Sequence, residues 1–273
     1  GKPVEYSVKT YAMNQLKRDT TPDKLKTLLV DMLNYGASAQ TYWSYNTANL
    51  VNQDLTEEQR AFATQTEPTL TNNCTVTDNT GAIHFDSVSL LLKEKVAIKY
   101  YLSPKGYTGK ASDLTMKVSY VDKNGDTQTE SISGDKFTLT ADGRYAVIFD
   151  KLNPTQMRTV CTAEVYDADG NKVSGTLTYS AESYAARKLS DPDAKLVRLL
   201  NDMMKYGDST AKYFGISSVQ VRKARQAYEI CYTYSMDQAK NLEGINSGWQ
   251  VDNRAGLGKT SNADNGRLSD VST

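Results

Sequence analysis

Apolar positions recur along the chain with two different periods, and the period changes twice. In the first stretch, Leu25, Leu28, Leu29, Met32, Gly36, Ala39 and Trp43 follow helical spacing and form one stripe. A second stripe of the same kind comprises Leu196, Leu199, Leu200, Met203, Gly207, Ala211 and Phe214. Between them, short runs alternate with period two: AIHFDSVSLLL, KVAIKYYL, LTMKVSYV, TQTESI, KFTLTA, RYAVIF, TVCTAEVY and KVSGTLTY. The breaks between runs include DKNGD, TADGR and DADGN, and Asn-Gly or Asp-Gly between alternating runs marks a hairpin. Seven or eight such strands predict an antiparallel β-sandwich of immunoglobulin or fibronectin type. The strand-rich segment holds no tryptophan, so it is not an antibody-type domain.

The helical text is a repeat. LLVDMLNYGASAQTYW at 28–43 returns as LLNDMMKYGDSTAKYF at 199–214, and YSVKTYAMNQL at 6–16 returns as YSAESYAARKL at 179–189. The offset falls from 173 to 171, so a two-residue gap lies between, where both copies carry turn text, RDTTPDK and SDPDAK. Each copy predicts a helical hairpin. The first helix is capped by Ser7 or Ser180; the second opens at Thr21-Pro22 or Asp191-Pro192. Glycine within a helix costs up to about 1 kcal/mol against alanine. Gly36 and Gly207 therefore predict close approach of another backbone, with a helix break or a ligand contact as the alternatives.

The fold class expected is α+β: an Ig/fibronectin-like sandwich flanked by two repeated α-hairpin modules. The domains run 1–66 (helical), 67–180 (sandwich), 181–241 (helical) and 242–273 (irregular or disordered tail). Thr56 and Gln59 stand at capping-box spacing for a short helix. A further helix is expected at 218–241, with Val221, Ala224, Tyr228, Cys231 and Tyr234 on its apolar face, and Trp249 is the tail's one possible anchor. The opening PVEYS resembles the end of the last strand, so the parent protein is expected to alternate sandwiches and hairpins, with the hairpins as joints of a semi-rigid rod.

Charge is balanced, with 32 basic and 32 acidic residues, which provides no field for nucleic acid or an anionic membrane. No stretch approaches the roughly 20 apolar residues of a membrane span, so no membrane insertion is expected. The spacing of Cys74, Cys161 and Cys231, with His84 as the single histidine, matches no metal motif; no metal and no cofactor are expected. Cys74 and Cys161 are read as free, with a bridge between them as the alternative.

GASAQ and GDSTA begin like a nucleophile elbow around Ser38 and Ser209, but they lie mid-helix and lack the second glycine. No carboxylate pair is singled out for sugar hydrolysis. His84 reads as a surface or packing residue. DKNGD and DADGN read as turns rather than calcium loops. The chain is therefore expected not to be an enzyme. Binding candidates are aromatic: Tyr42, Trp43 and Tyr45 at the end of the first long helix, with Trp43 expected to pack on the sandwich. Tyr213 and Phe214 hold the equivalent place, and Tyr100 and Tyr101 share a strand that turns one ring out. The ligand-binding set is Tyr42, Tyr45, Tyr100, Tyr101 and Tyr213.

The run YSVKTYA…LLVDMLNYGASAQTYWSYNTANLVNQDLTEEQRA resembles modules of large secreted or wall-attached proteins of anaerobic gut Firmicutes, where they adjoin Ig-like and dockerin-type domains. The resemblance implies an extracellular or cell-surface location and no chemistry. The function expected is a spacer or display unit among neighbouring modules of the same parent chain. The alternative is an adhesin-type module for a glycan or for a host protein such as mucin or immunoglobulin.

Overall fold

A computed structural model describes residues 7–92 and 95–216, which fall within one compact unit of the chain. The helix expected at 218–241, with Cys231, and the tail with Trp249 lie outside the described residues. The architecture mixes helices with two antiparallel sheets.

Helix α1 (Val8–Leu16) starts at Ser7, whose hydroxyl accepts from the Thr10 N–H at 3.0 Å; α4 (Ala181–Lys188) starts in the same way, Ser180 accepting from Ser183 N–H at 3.0 Å. The short helix α3 (Glu57–Arg60) carries both halves of the Thr56–Gln59 capping box. The long helices are α2 (Asp23–Tyr42) and α5 (Ala194–Tyr213). Their starts differ from expectation. Thr21 caps nothing: its hydroxyl donates to Gln15 at 3.2 Å, and Pro22 holds the cap position. In α5 the cap is Asp193, which accepts from Lys195 and Leu196 N–H. Asp191 is already engaged by Lys188 Nζ at 2.7 Å and Asp193 N–H at 3.0 Å.

Among the described residues nine strands follow one another: β1 (Thr75–Thr77), β2 (His84–Leu91), β3 (Ala97–Ser103), β4 (Thr115–Val121), β5 (Thr127–Ser133), β6 (Thr138–Leu139), β7 (Tyr145–Phe149), β8 (Cys161–Tyr166) and β9 (Thr176–Tyr179). One sheet has the order β1-β9-β8-β4-β5 and the other β2-β3-β7-β6. All eight alternating runs contain a strand. Strand β1 was not foreseen, because three residues are too few to show a period; Thr75 and Thr77 form it by pairing with Thr178 and Thr176. The Gly of each hairpin turn, Gly125, Gly143 and Gly170, has φ between 80° and 89°, which explains its placement. In strand β2 the register slips between Phe85 and Ser87. This bulge lets Phe85 and Val88, three residues apart, both face inward.

The two sheets share one core. Met116, Val118, Cys161, Ala163, Val165, Leu177 and Tyr179 from one sheet meet Phe85, Leu90, Ile98, Tyr100, Leu102, Val147 and Phe149 from the other. Ala181, Ala185, Leu196, Leu200, Met203 and Met204 of α4 and α5 belong to the same cluster. The boundary expected at 180/181 is therefore not a break in packing, and Ser180 passes from strand to helix without a linker. The first helices differ: Ala12, Leu16, Leu29, Val30, Leu33 and Leu55 form a second, separate core.

The stripe expected on α5 is buried from Leu196 to Ala211, and only Phe214, 62% exposed, falls outside it. On α2 the expected stripe is corrected. The buried residues are Leu29, Val30, Leu33 and Ala37 together with polar Asp31 and Ser38, because α2 is covered on two sides, by its own small core and by α5. The glycine expectation holds unevenly. A Cβ on Gly207 would meet Met157 Cγ at 2.8 Å and the Pro154 carbonyl at 3.1 Å, whereas one on Gly36 would meet a side chain, Val51 Cγ2 at 2.9 Å.

Cys74 and Cys161 are both free. Cys161 lies opposite Tyr179, and the β1–β9 register puts Cys74 on the other side of the same tyrosine. Two strand spacings, about 10 Å, separate them, beyond the reach of a disulfide. Burial pushes the Cys161 thiol up to about 12, so it is an inert core residue. The Tyr100 hydroxyl, near Cys161 and Tyr179, is the one buried side-chain polar atom among the described residues with no hydrogen-bond partner. Removing an unpaired buried hydroxyl is not penalised, so Tyr100→Phe should keep or raise stability by up to about 1 kcal/mol in urea unfolding. A loss above that would mean the hydroxyl has a partner.

Candidate functional site

The five tyrosines named from sequence do not come together. Tyr100 is fully buried in the shared core and cannot meet a ligand, so it leaves the binding set. Its neighbour Tyr101 faces outward, as alternation requires. However, Lys99 Nζ stands 5.0 Å and the Arg144 guanidinium 4.7 Å over its ring. A sugar stacking there would have to displace a cation. Tyr42 is half-buried against the shared core, edge-on to Trp43 at 5.1 Å. Tyr213 packs edge-on to Phe214 at 5.0 Å.

Among the described residues the most open aromatic group is the loop leaving α2. Tyr45 is 71% exposed, and Trp43, expected against the sandwich, is 36% exposed. The reason is a helix stop. Tyr45 N–H returns to the Gln40 carbonyl at 2.8 Å and Ser44 N–H to Thr41, with Ser44 at φ 54°, a Schellman arrangement that turns the chain away from the core. Gln40 then pins the loop: its amide donates to the Asn46 and Asn49 carbonyls, and its oxygen accepts from Val51 N–H at 2.8 Å. The result is two rings displayed beside Asn46 and Asn49 on a fixed loop. Helix α5 ends in the same way, with Gly215 at φ 69° where α2 has Ser44. Left-handed backbone is costly for any residue but glycine, so Ser44→Gly should stabilise the chain by about 0.5–1 kcal/mol. A urea midpoint that falls instead would contradict this cap.

A second constellation joins α2 and α5. Tyr35 and Tyr206 stack at 5.8 Å with planes 14° apart. Ser38 donates to Asp202, and at the mirrored place the Ser209 hydroxyl lies beside Asp31 while donating to the Tyr206 carbonyl at 3.2 Å. Each residue stands 171 positions from its counterpart, Asp31 from Asp202, Tyr35 from Tyr206, and Ser38 from Ser209. The contact is therefore two-fold and self-complementary, and the helices run antiparallel through it. We call it the clasp. It also places the two serines of the would-be nucleophile motifs in a buried helix interface, Ser38 on a carboxylate and Ser209 on a backbone carbonyl, neither on an imidazole. The antiparallel register separates the exposed rings at the two helix ends by about 25 Å at 1.5 Å per residue. Tyr45 and Tyr213 thus form no common surface.

Sequence reasoning singled out the glycines and serines of the copied string but missed Asp31 and Asp202, although both copies carry them. Asp31 is buried and also accepts from the Thr64 N–H at 2.9 Å and the Thr64 hydroxyl at 2.7 Å. Desolvation pushes its carboxyl above the usual carboxylate range, against the opposing pull of Thr64, Ser209 and Lys205. The folded state therefore holds this proton to higher pH than the unfolded chain does. Asp31 thus withdraws stability as pH rises from its unfolded value, about 4, through the folded one. Relative to Asp31→Asn, the wild-type chain should be less stable at neutral pH than at pH 4; an opposite slope in paired urea titrations would refute this sign.

Arg158 was also missed. It precedes β8, and its guanidinium donates to both carboxylate oxygens of Asp208 on α5 at 2.7 and 2.8 Å. It also donates to Glu182 of α4 at 2.6 Å and to the Thr69 carbonyl at 3.0 Å. Asp122 and Asp167 each turn a carboxylate onto backbone N–H groups of their own hairpin, which lowers both pKa values. His84 opens β2 opposite Ser103. No cluster of metal-ligating side chains occurs among the described residues, and none of their helices is long and apolar enough to cross a membrane.

Set against known proteins, the chain matches no family model, no curated protein and no solved structure.

Proposed function

We propose that the chain is a non-enzymatic structural unit of an extracellular bacterial surface protein, built from a duplicated helical hairpin and an Ig/fibronectin-like sandwich, which spaces or displays neighbouring modules of the same parent chain. The observation that carries this reading is the clasp. The same three residues at positions 171 apart face one another and close one helix pair on the other, across the whole sandwich in sequence. Polar side chains that could serve as reactive groups are used there as structural ties. The Ig-type part is supported by strand order. The sheet β2-β3-β7-β6 corresponds to A-B-E-D, and β4-β8-β9 to C-F-G, with β5 outside C and β1 added beside G. The rod with hairpins as end joints is revised: the two hairpins meet each other directly.

The exposed Trp43 and Tyr45 favour a second reading, an adhesin-type contact for a glycan or a host protein at the loop leaving α2. One experiment separates the two. The immobilised chain is offered plant polysaccharides, mucin and serum, beside a Trp43→Ala/Tyr45→Ala variant. The structural reading expects no specific retention and no difference between the two proteins. A partner retained by the wild type and lost from the variant would replace it with the adhesin reading.

A further inference from the structure

We propose that the Asp-x3-Tyr-x2-Ser face of the clasp is a self-recognition surface whose partner is a second copy of this chain, the first helix pair of one molecule closing on α5 of another. Three observations lead to it. The first is the symmetry of the contact. Asp31, Tyr35 and Ser38 present the same groups, in the same order, as Asp202, Tyr206 and Ser209. A two-fold surface of this kind fits any copy of itself, in the same chain or in another.

The second is the separate core of the first helices. Ala12, Leu16, Leu29, Val30, Leu33 and Leu55 pack among themselves, whereas α4 and α5 share the core of the sheets. The first helix pair reaches the sheet core only through the half-buried Tyr35 and Tyr42, so leaving α5 gives up those contacts, which an exchanged partner restores, and separates no buried residue from its own cluster. The third is the position of the connection. Up to Thr64 the chain is tied to α2 through Asp31. From Glu67 onward it is tied to the other side, Glu67 to Lys205 at 2.7 Å, Thr69 to Arg158, Thr71 to Glu182 and Asn73 to Ser183. Gln65 and Thr66, both exposed, lie between the two sets and are the hinge. Exchange at this hinge keeps every contact of the clasp and changes only which chain supplies it, so concentration decides between the closed monomer and the exchanged dimer.

The proposal rests on the clasp geometry alone and stands whether or not the chain holds a ligand. Its test uses the full chain, unfolded in urea and refolded at low and at high protein concentration, followed by light scattering after gel filtration. The expected result is a particle whose mass doubles in the high-concentration sample. A monomer at every concentration overturns the proposal. The interface is read by cysteine pairing in a Cys74→Ser/Cys231→Ser background. One chain carries Ser38→Cys, the other carries Asp202→Cys, and the two are refolded together and oxidised. A single chain carrying both substitutions is the control. Where that control closes within one molecule, a disulfide-linked heterodimer from the mixture supports exchange, and its absence beside a doubled mass assigns the dimer to another surface and overturns the proposal. Where the control does not close, deletion of Gln65 and Thr66 decides. The shortened hinge should make the dimer persist on dilution, and a folded monomer counts against exchange.

Discussion

Arg158→Met is expected to cost about 3–5 kcal/mol in urea unfolding, because it removes the cation from a buried ionic cluster while its carboxylates remain. Glu182 is 1% exposed, and its carboxylate also accepts from Thr71 N–H at 3.1 Å. Asp208 is more open to water, and its loss should matter less. The same guanidinium caps the Thr69 carbonyl, so the substitution loosens the strap that leads into β1 as well as the contact between α4 and α5. Adding Glu182→Gln should recover part of the loss. It replaces the buried carboxylate with a neutral amide and keeps an oxygen for Thr71. A single-variant loss below about 1 kcal/mol would put Arg158 in the class of exposed ion pairs and contradict the geometry.

The second large effect is a difference between two glycines at matching places. Gly207→Ala is expected to destabilise by about 1–3 kcal/mol, although alanine is the better helix former by about 0.5–1 kcal/mol. The new methyl meets Met157 Cβ and the Pro154 carbonyl, both at 3.1 Å, as well as Met157 Cγ, and a backbone carbonyl in a capped turn cannot rotate away. Gly36→Ala meets only the end of the Val51 side chain, which can shift, and gains helix propensity. Its unfolding midpoint should stay near the wild type or rise. Equal losses at both positions would show that the turn at Pro154–Gln156 does not press on α5 as described.

The fold was legible wherever the period was long. Both long helices and the eight alternating runs are in the text, because burial on one face or in one stripe leaves a periodic trace. Strand β1 left none, and the real packing of α2 was hidden for a related reason. A helix covered on two sides has no single stripe, and half of its second face is polar. Asp31 and Ser38 look like solvent positions until the copy at Asp202 and Ser209 is set beside them. The repeat contained that signal, but only as identity, with nothing to say that the two faces touch. Arg158 had no local signal at all, since its partners lie at 69, 182 and 208. For the binding tyrosines, alternation correctly told that one of Tyr100 and Tyr101 turns inward. Lys99 stands over the outer ring from the same strand, but the second cation there, Arg144, comes from a different hairpin.

The antiparallel stacking of Tyr35 on Tyr206 imposes a parity rule. A contact that is its own complement is used up by one mate and offers nothing to a third. In a chain with an even number of these helices, every face can be covered. In a chain with an odd number, one ring and one carboxylate stay in water, and the cheapest remedy is a neighbouring molecule with the same leftover.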